Sequence, residues 1–380
     1  MKILLCALMC VLCSPPLLAG TNEALRVGTY NIRFATGDRS DASASNDVAC
    51  PEDFDAFWCS AEERLESSTP LDLKMERVPS LSKDSYDYFR INFATAGRRM
   101  WGFLTVPTNS AKAPYPVHVY VPGAGPYHST WWGGNGDAIT MLVNVLDFDP
   151  ACEGGIKKGY EEMCNRLREK YSFRGPFGLA GMAESREAVF YYPVILGLNR
   201  IANWAWSRKD VDRSHFTVIG GSQGGYLALA LMAVNGKFTR GAVYVPAMGD
   251  LLGDEEGRVS GWPRPLTGYS KDRWNAIRRI VPYFDAVNFA SRVKTPLRGA
   301  RGLADGVCSP SSTKLIFDAV ASKEKYVIDC PGMTHKVFPE IEADLNAWVR
   351  SRTLRVDESA KSAAGKSVKA SGEFHEAGGL

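Results

Sequence analysis

The chain has 380 residues, 45% hydrophobic and 23% charged, enough apolar material for one large α/β domain; a fibre or a wholly disordered polymer is excluded. Lys and Arg number 45 against 42 Asp and Glu, a formal charge of +3. So small and evenly spread an excess argues against a nucleic-acid partner or an anionic membrane surface.

Residues 1–20 read as a secretory signal peptide: Lys2 precedes the apolar run from Ile3 to Cys13, Pro15-Pro16 break it, and Leu18-Ala19-Gly20 offers small residues for cleavage. No later stretch reaches the ~20 apolar residues that a membrane span needs. The expected protein is therefore secreted or periplasmic, with no span. Six cysteines remain after the signal: Cys50, Cys59, Cys152, Cys164, Cys308 and Cys330. An even count in an oxidising compartment favours disulfides over metal ligands. Proximity in sequence suggests Cys50 with Cys59, Cys152 with Cys164 and Cys308 with Cys330, although sequence does not decide connectivity.

Residues 21–48 read as a short strand (25–32) and a linker. Residues 49–350 alternate strand-like and helix-like patterns, which predicts one α/β domain with a mostly parallel twisted sheet and helices on both faces. Strands are expected at 87–93, 100–106, 117–121, 139–145, 216–219, 241–245, 297–300 and 326–329. Helices are expected at 51–66, 185–207, 223–234, 311–320 and 339–351. Residues 351–380, mostly Ala, Ser, Lys, Gly and Glu with almost no large apolar residue, read as a disordered tail.

The run Gly220-Gly221-Ser222-Gln223-Gly224-Gly225 falls between the apolar stretch 216–219 and the helical run 226–234. It reads as strand, sharp turn and helix. Side chains at 220 or 224 would collide with the neighbouring strand or helix, which gives the G-x-S-x-G spacing a steric reason. The turn lifts the Ser222 hydroxyl to the top of the sheet, where the helix N-terminus and the N–H of Gln223 can stabilise a developing oxyanion.

A serine needs a histidine to take its proton, and the histidine needs a carboxylate to fix its tautomer. Such a strand–serine–helix elbow is that of an α/β-hydrolase fold, in which the chain order is Ser, acid, His. His118 and His128 precede the serine, His215 lies at the wrong end of its strand and His375 is in the tail, leaving His335 on a loop between the last strand and helix. Asp305 follows the strand at 297–300 and is the expected acid; Asp329, inside the last strand, is its rival. The second oxyanion donor is expected from Pro122-Gly123-Ala124-Gly125-Pro126, with the N–H of Ala124 favoured and Gly125 close behind.

The surrounding segments resemble the acetyl xylan esterase and cephalosporin C deacetylase family, carbohydrate esterase family 7, over roughly residues 49–350. Cys50-Pro51-Glu52-Asp53-Phe54-Asp55-Ala56-Phe57-Trp58 resembles its entry helix, and Gly302-Leu303-Ala304-Asp305-Gly306-Val307-Cys308-Ser309-Pro310 its acid-bearing loop. Pro122-Gly123-Ala124 replaces the family's usual His-Gly-Tyr, and Asp147-Phe148-Asp149-Pro150 its Arg-Gly-Gln-Gly. The resemblance implies removal of O-acetyl groups from acetylated xylan, xylo-oligosaccharides or cephalosporin C through an acyl-enzyme, with no metal or other cofactor. A homo-oligomer is compatible with it. Tyr127, Trp131, Trp132 and Trp262 are candidate platforms for a sugar ring. The alternative is another α/β-hydrolase acting on different esters or on peptides. A minor one comes from Leu25 to Phe34, which resembles the opening strand of the endonuclease/exonuclease/phosphatase family, where the Asn touches a catalytic metal. No later part of the chain supplies that family's carboxylate and histidine sets.

Overall fold

The computed structural model describes residues 48–126 and 134–351. The expected signal peptide, the 25–32 strand and the tail beyond 351 lie outside these residues. Among the described residues, the strands are β1 (Lys74–Arg77), β2 (Tyr86–Thr95), β3 (Arg98–Pro107), β4 (Tyr115–Val121), β5 (Ile139–Val143), β6 (Val211–Gly221), β7 (Arg240–Tyr244), β8 (Leu297–Gly302) and β9 (Lys325–Cys330). They form one sheet in the order β1-β2-β3-β5-β4-β6-β7-β8-β9. The first three are antiparallel, and from β5 across to β9 all neighbours are parallel.

All eight expected strands are present. Their continuous apolar runs follow from burial on both faces: every residue of β5 is buried, and β4 is buried except at Tyr120. β1 is an addition, because Lys-Met-Glu-Arg has no apolar alternation to announce it. It is an exposed edge strand, held by pairing to β2 and by the cross-strand pair Arg90–Glu76 at 2.8 Å.

The longer helices are α1 (Phe54–Ser68), α2 (Gly155–Tyr171), α3 (Tyr191–Ser207), α4 (Gln223–Val234), α5 (Pro310–Ala319) and α6 (Pro339–Arg350). The helix expected from 185 starts only at Tyr191. Pro193 then sits in the first turn, where its missing N–H costs nothing. α2 is a second addition: Gly154, Gly155 and Gly159 break its pattern, yet its buried residues Gly159, Met163 and Leu167 fall at helical spacing.

α3 and α4 cover one face of the sheet, and α6 packs on β6, β7 and β8 from the other. In α4 every residue from Gln223 to Met232 is buried, and each leucine stabilises the fold by roughly 1.5–3 kcal/mol. α1 joins this side through Phe54 against Phe289 and Phe57 against Tyr283, ring centroids 5.1 and 5.0 Å apart. Beneath α6 a separate cluster packs Ile219, Ala242 and Val245 against Leu345, Trp348 and Val349. Within the sheet, His118 on β4 meets His215 on β6 edge to face at 5.6 Å and bonds Thr217 Oγ1 at 2.8 Å. Burial first, and the neighbouring His215 second, hold the His118 imidazole down to about 3.

Candidate active site

β6 ends at Gly221 and α4 begins at Gln223, so Ser222 alone makes the turn, with φ +55° and ψ −124°. A non-glycine residue held there carries about 1–3 kcal/mol of strain. The surroundings enforce it: Ser222 N–H donates to the Tyr244 carbonyl at 3.0 Å, and its own carbonyl accepts from Tyr226 N at 3.1 Å and Ala247 N at 3.0 Å. A Cβ on Gly220 would lie 2.2 Å from the Gly224 carbonyl oxygen, and one on Gly224 would lie 2.0 Å from that of Val121. Both positions must be glycine for strand and helix to approach this closely.

Asp305 and His335, the expected acid and base, arrive on the loops after β8 and β9. His335 Nδ1–H donates to Asp305 Oδ2 at 2.9 Å, and its Nε2 accepts from Ser222 Oγ at 3.0 Å, the tautomer following from these partners. Asp305 is buried, and its Oδ1 accepts from the N–H groups of Val307 (2.8 Å) and Cys308 (3.0 Å). Asp329 stands apart, paired with Arg301 at 2.5 Å.

The two loops are joined through their backbones: Leu303 N–H donates to Cys330 O at 3.1 Å and Ala304 N–H to Met333 O at 3.0 Å. A Cβ on Gly302 would lie 2.5 Å from Met333 O, so this glycine lets the base loop close in. The expected disulfide tie is absent. All six described cysteines are free thiols, which corrects the three pairings inferred from proximity. Cys330 Sγ donates to Ile328 O at 3.8 Å, Cys152 Sγ to Gly155 O at 3.5 Å, and Cys59 Sγ to Glu63 Oε1 at 3.6 Å.

Cys308 instead turns its thiol toward Ser222. Burial pushes it well above the usual thiol range, the nearby Asp305 charge adds to this, and a hydrogen bond with Ser222 works against it. Nothing in the residue pattern marks this thiol. Asp305, Cys308 and His335 also form the one group among the described residues whose metal-ligating atoms come within 4.8 Å of one another. Both His335 ring nitrogens are already engaged by Asp305 and Ser222, so a metal there would have to break the Ser–His–Asp chain.

Gln223 opens α4, where the first N–H groups have no intrahelical acceptor. Its side chain has a second role that the sequence does not reveal. Tyr191 O–H donates to its Oε1 at 2.9 Å, and its Nε2 donates to the carbonyls of Gly123 (3.3 Å) and Pro122 (3.4 Å). A buried amide thereby ties the loop after β4 to the elbow. A Cβ on Gly123 would sit 4.0 Å from Ser222 Cβ, and Ala124 is half-buried with its methyl against the core.

Ser222 and His335 open into a cavity of about 560 Å³. Trp262 does not line it; its indole packs over Gly178, next to the core. Tyr127, Trp131 and Trp132 lie outside the described residues.

Compared with known proteins, residues 44–351 match a family model described as acetyl xylan esterase (AXE1). The matched region begins after residues 25–34, the stretch that resembles a nuclease strand. The acetyl esterase Axe7A of Xylanibacter ruminicola is 26% identical over 312 residues, covering 80% of this chain and 67% of that protein. Two solved structures share the fold. The acetyl xylan esterase from Paenibacillus sp. R4 superposes with a TM-score of 0.64 at 21% identity, and acetyl xylan esterase 1 from Thermoanaerobacterium sp. JW/SL YS485 with 0.61 at 18%. In each case 80% of this chain aligns with 95% of the other.

Proposed function

The chain belongs to the acetyl xylan esterase family, carbohydrate-deacetylating carboxylic ester hydrolases of the α/β-hydrolase fold, and from that premise we propose that Ser222, His335 and Asp305 carry the reaction. The observation that supports this reading most is the pair of hydrogen bonds running from Ser222 Oγ through the His335 ring to buried Asp305.

Ser222 Oγ attacks the acetyl carbonyl carbon while His335 Nε2 takes its proton. Asp305 holds the ring by Nδ1–H and stabilises the imidazolium. The N–H groups of Gln223 and Ala124 receive the oxyanion, each such donor contributing on the order of 10²–10³ in turnover. Collapse expels the sugar oxygen, which takes the proton from His335. Water then repeats the cycle on the acetyl-enzyme and releases acetate.

The substrates proposed are acetylated xylan and xylo-oligosaccharides, with cephalosporin C as a small surrogate, and the proposed route out of the cell is export on the signal at 1–20. Acetate release from acetylated xylan and from p-nitrophenyl acetate tests the chemistry. Ser222→Ala should lower turnover by about 10⁴–10⁶-fold with an unchanged circular-dichroism spectrum. Near-normal turnover in that variant would remove the nucleophile.

A further inference from the structure

Two loops bring three chemically different metal-binding atoms together beside Ser222. Asp305 and Cys308 stand three residues apart on the loop after β8, in a turn fixed by the N–H groups of Val307 and Cys308 on Asp305 Oδ1 at 2.8 and 3.0 Å. His335 comes from the loop after β9, drawn in by Leu303 N–H on Cys330 O and Ala304 N–H on Met333 O. A carboxylate oxygen, a thiol sulfur and an imidazole nitrogen thereby lie within 4.8 Å of one another. Tetrahedral zinc holds such donors at roughly 2.0–2.3 Å, about 3.5 Å from each other, so closing on an ion asks for shifts on the order of an ångström. His335 can supply them, because its side chain is partly exposed and lines the cavity while Asp305 and Cys308 are buried.

The donor set selects the ion. One sulfur, one nitrogen and one oxygen suit zinc or its softer relative cadmium, and a single carboxylate cannot replace the oxygen shell that magnesium or calcium requires. Charge agrees with this. A divalent ion on one thiolate, one carboxylate and one neutral imidazole forms a neutral cluster, which a buried position tolerates far better than a net charge.

Resting on the assignment of His335 as the base for Ser222, we propose that Asp305, Cys308 and His335 form an inhibitory site for zinc and cadmium. A coordinating thiol gives up its proton, so the Cys308 S–H bond is exchanged for a sulfur–metal bond, one proton leaves to solvent and no electrons move. The ion also takes one His335 ring nitrogen, and both are in use. On Nε2 it occupies the lone pair that receives the Ser222 proton. On Nδ1 it displaces the proton shared with Asp305, and the neutral ring then carries its proton on Nε2. Either way Ser222 has no base.

The test titrates zinc into the wild-type protein during p-nitrophenyl acetate hydrolysis. Turnover should fall by about tenfold or more at saturation, since loss of a triad base costs more than that, and should return when EDTA removes the ion. Magnesium and calcium at the same concentration should change it by less than about twofold. In Cys308→Ala the zinc concentration that halves whatever turnover remains should rise by more than about 100-fold, the most that loss of an outer-shell partner usually costs. His335→Ala should weaken cadmium binding in calorimetry by as much, a readout that needs no activity. Zinc that leaves wild-type turnover unchanged, equal inhibition of Cys308→Ala, or cadmium binding unaltered in His335→Ala overturns the proposal. A wild-type protein inert on p-nitrophenyl acetate before any metal is added would instead overturn the role of His335 as a base, and calorimetry would still decide whether these residues bind the ion.

Discussion

Ser222 and the two residues hydrogen-bonded in line with it, His335 and Asp305, are positioned by different physics. At the elbow, backbone sterics do the placing: a strand, one strained residue and a helix are packed so closely that Gly220 and Gly224 leave no room for a Cβ. At the acid and base loops, hydrogen bonds do it. Asp305 is held by two backbone N–H groups, His335 by Asp305, and the Asp305 loop by carbonyls of the His335 loop. A steric placement is written in a short local motif and tolerates almost no substitution. A hydrogen-bonded placement is assembled from distant residues, so it can be dismantled one bond at a time.

The comparison is broken hardest at the acid. Asp305→Asn keeps the shape of the side chain, yet with its oxygen held by the N–H groups of Val307 and Cys308 its NH2 faces His335 Nδ1 and donates, imposing the wrong tautomer, and turnover should fall by about 10⁴-fold with the fold unchanged. Steady-state kinetics beside a thermal melt check this; equal losses in activity and stability would mean that Asp305 is structural. Gly224→Ala attacks the other arm. With its Cβ 2.0 Å from Val121 O, the elbow must open, and the variant should lose about 3 kcal/mol or more of stability in urea titrations together with most of its activity. If that variant melted like the wild type, the steric account of the elbow would be wrong.

Two smaller changes sharpen the contrast. Ser309 follows the acid loop and caps α5, accepting from Ser312 N at 3.2 Å. Ser309→Ala should cost about 1 kcal/mol in denaturant unfolding and leave kcat close to normal, because Asp305 keeps its own two donors. The sheet under the elbow can be probed by pH. His118 is depressed in the folded protein to about 3, against the 6.5 of an unperturbed imidazole. Between those values the unfolded chain binds a proton that the folded chain refuses, so stability is lost as pH falls from about 6.5 toward 3. In His118→Leu, with Thr217 still able to donate to Val117 O at 3.3 Å, the acid limb of a plot of urea midpoint against pH should be shallower. An unchanged slope would show that His118 takes no part in acid unfolding.

Legibility follows the same division. The elbow and the eight strands from β2 to β9 are readable because each rests on local periodicity or local sterics, and the order Ser, acid, His because the fold class sets it. Edge strand β1 is not, since its four exposed residues owe their conformation to pairing with β2. Neither is α2, where glycines mask the pattern. The cysteines mislead for a related reason: closeness in sequence says nothing of where a Sγ points, and Cys308 faces Ser222 while Cys330 bonds its own strand. The Gln223 side chain stays hidden because its partners Tyr191, Pro122 and Gly123 lie tens of residues away.

The sequence by itself determined that a serine would stand at the end of a buried strand, that a histidine and an acid would follow in a set order, and that a mostly parallel sheet would carry them. The serine's place and the sheet depend on residue size, glycine placement and apolar periodicity, which act over a few neighbouring positions; the order of its partners follows from the fold class those features indicate. Only the tertiary structure decided that Asp305 and not Asp329 meets His335, that backbone hydrogen bonds and not a disulfide join the two loops, and that the Gln223 side chain ties the loop after β4 to the elbow. Those outcomes depend on directions and distances between segments far apart in the chain, and they take definite values only once the sheet has formed.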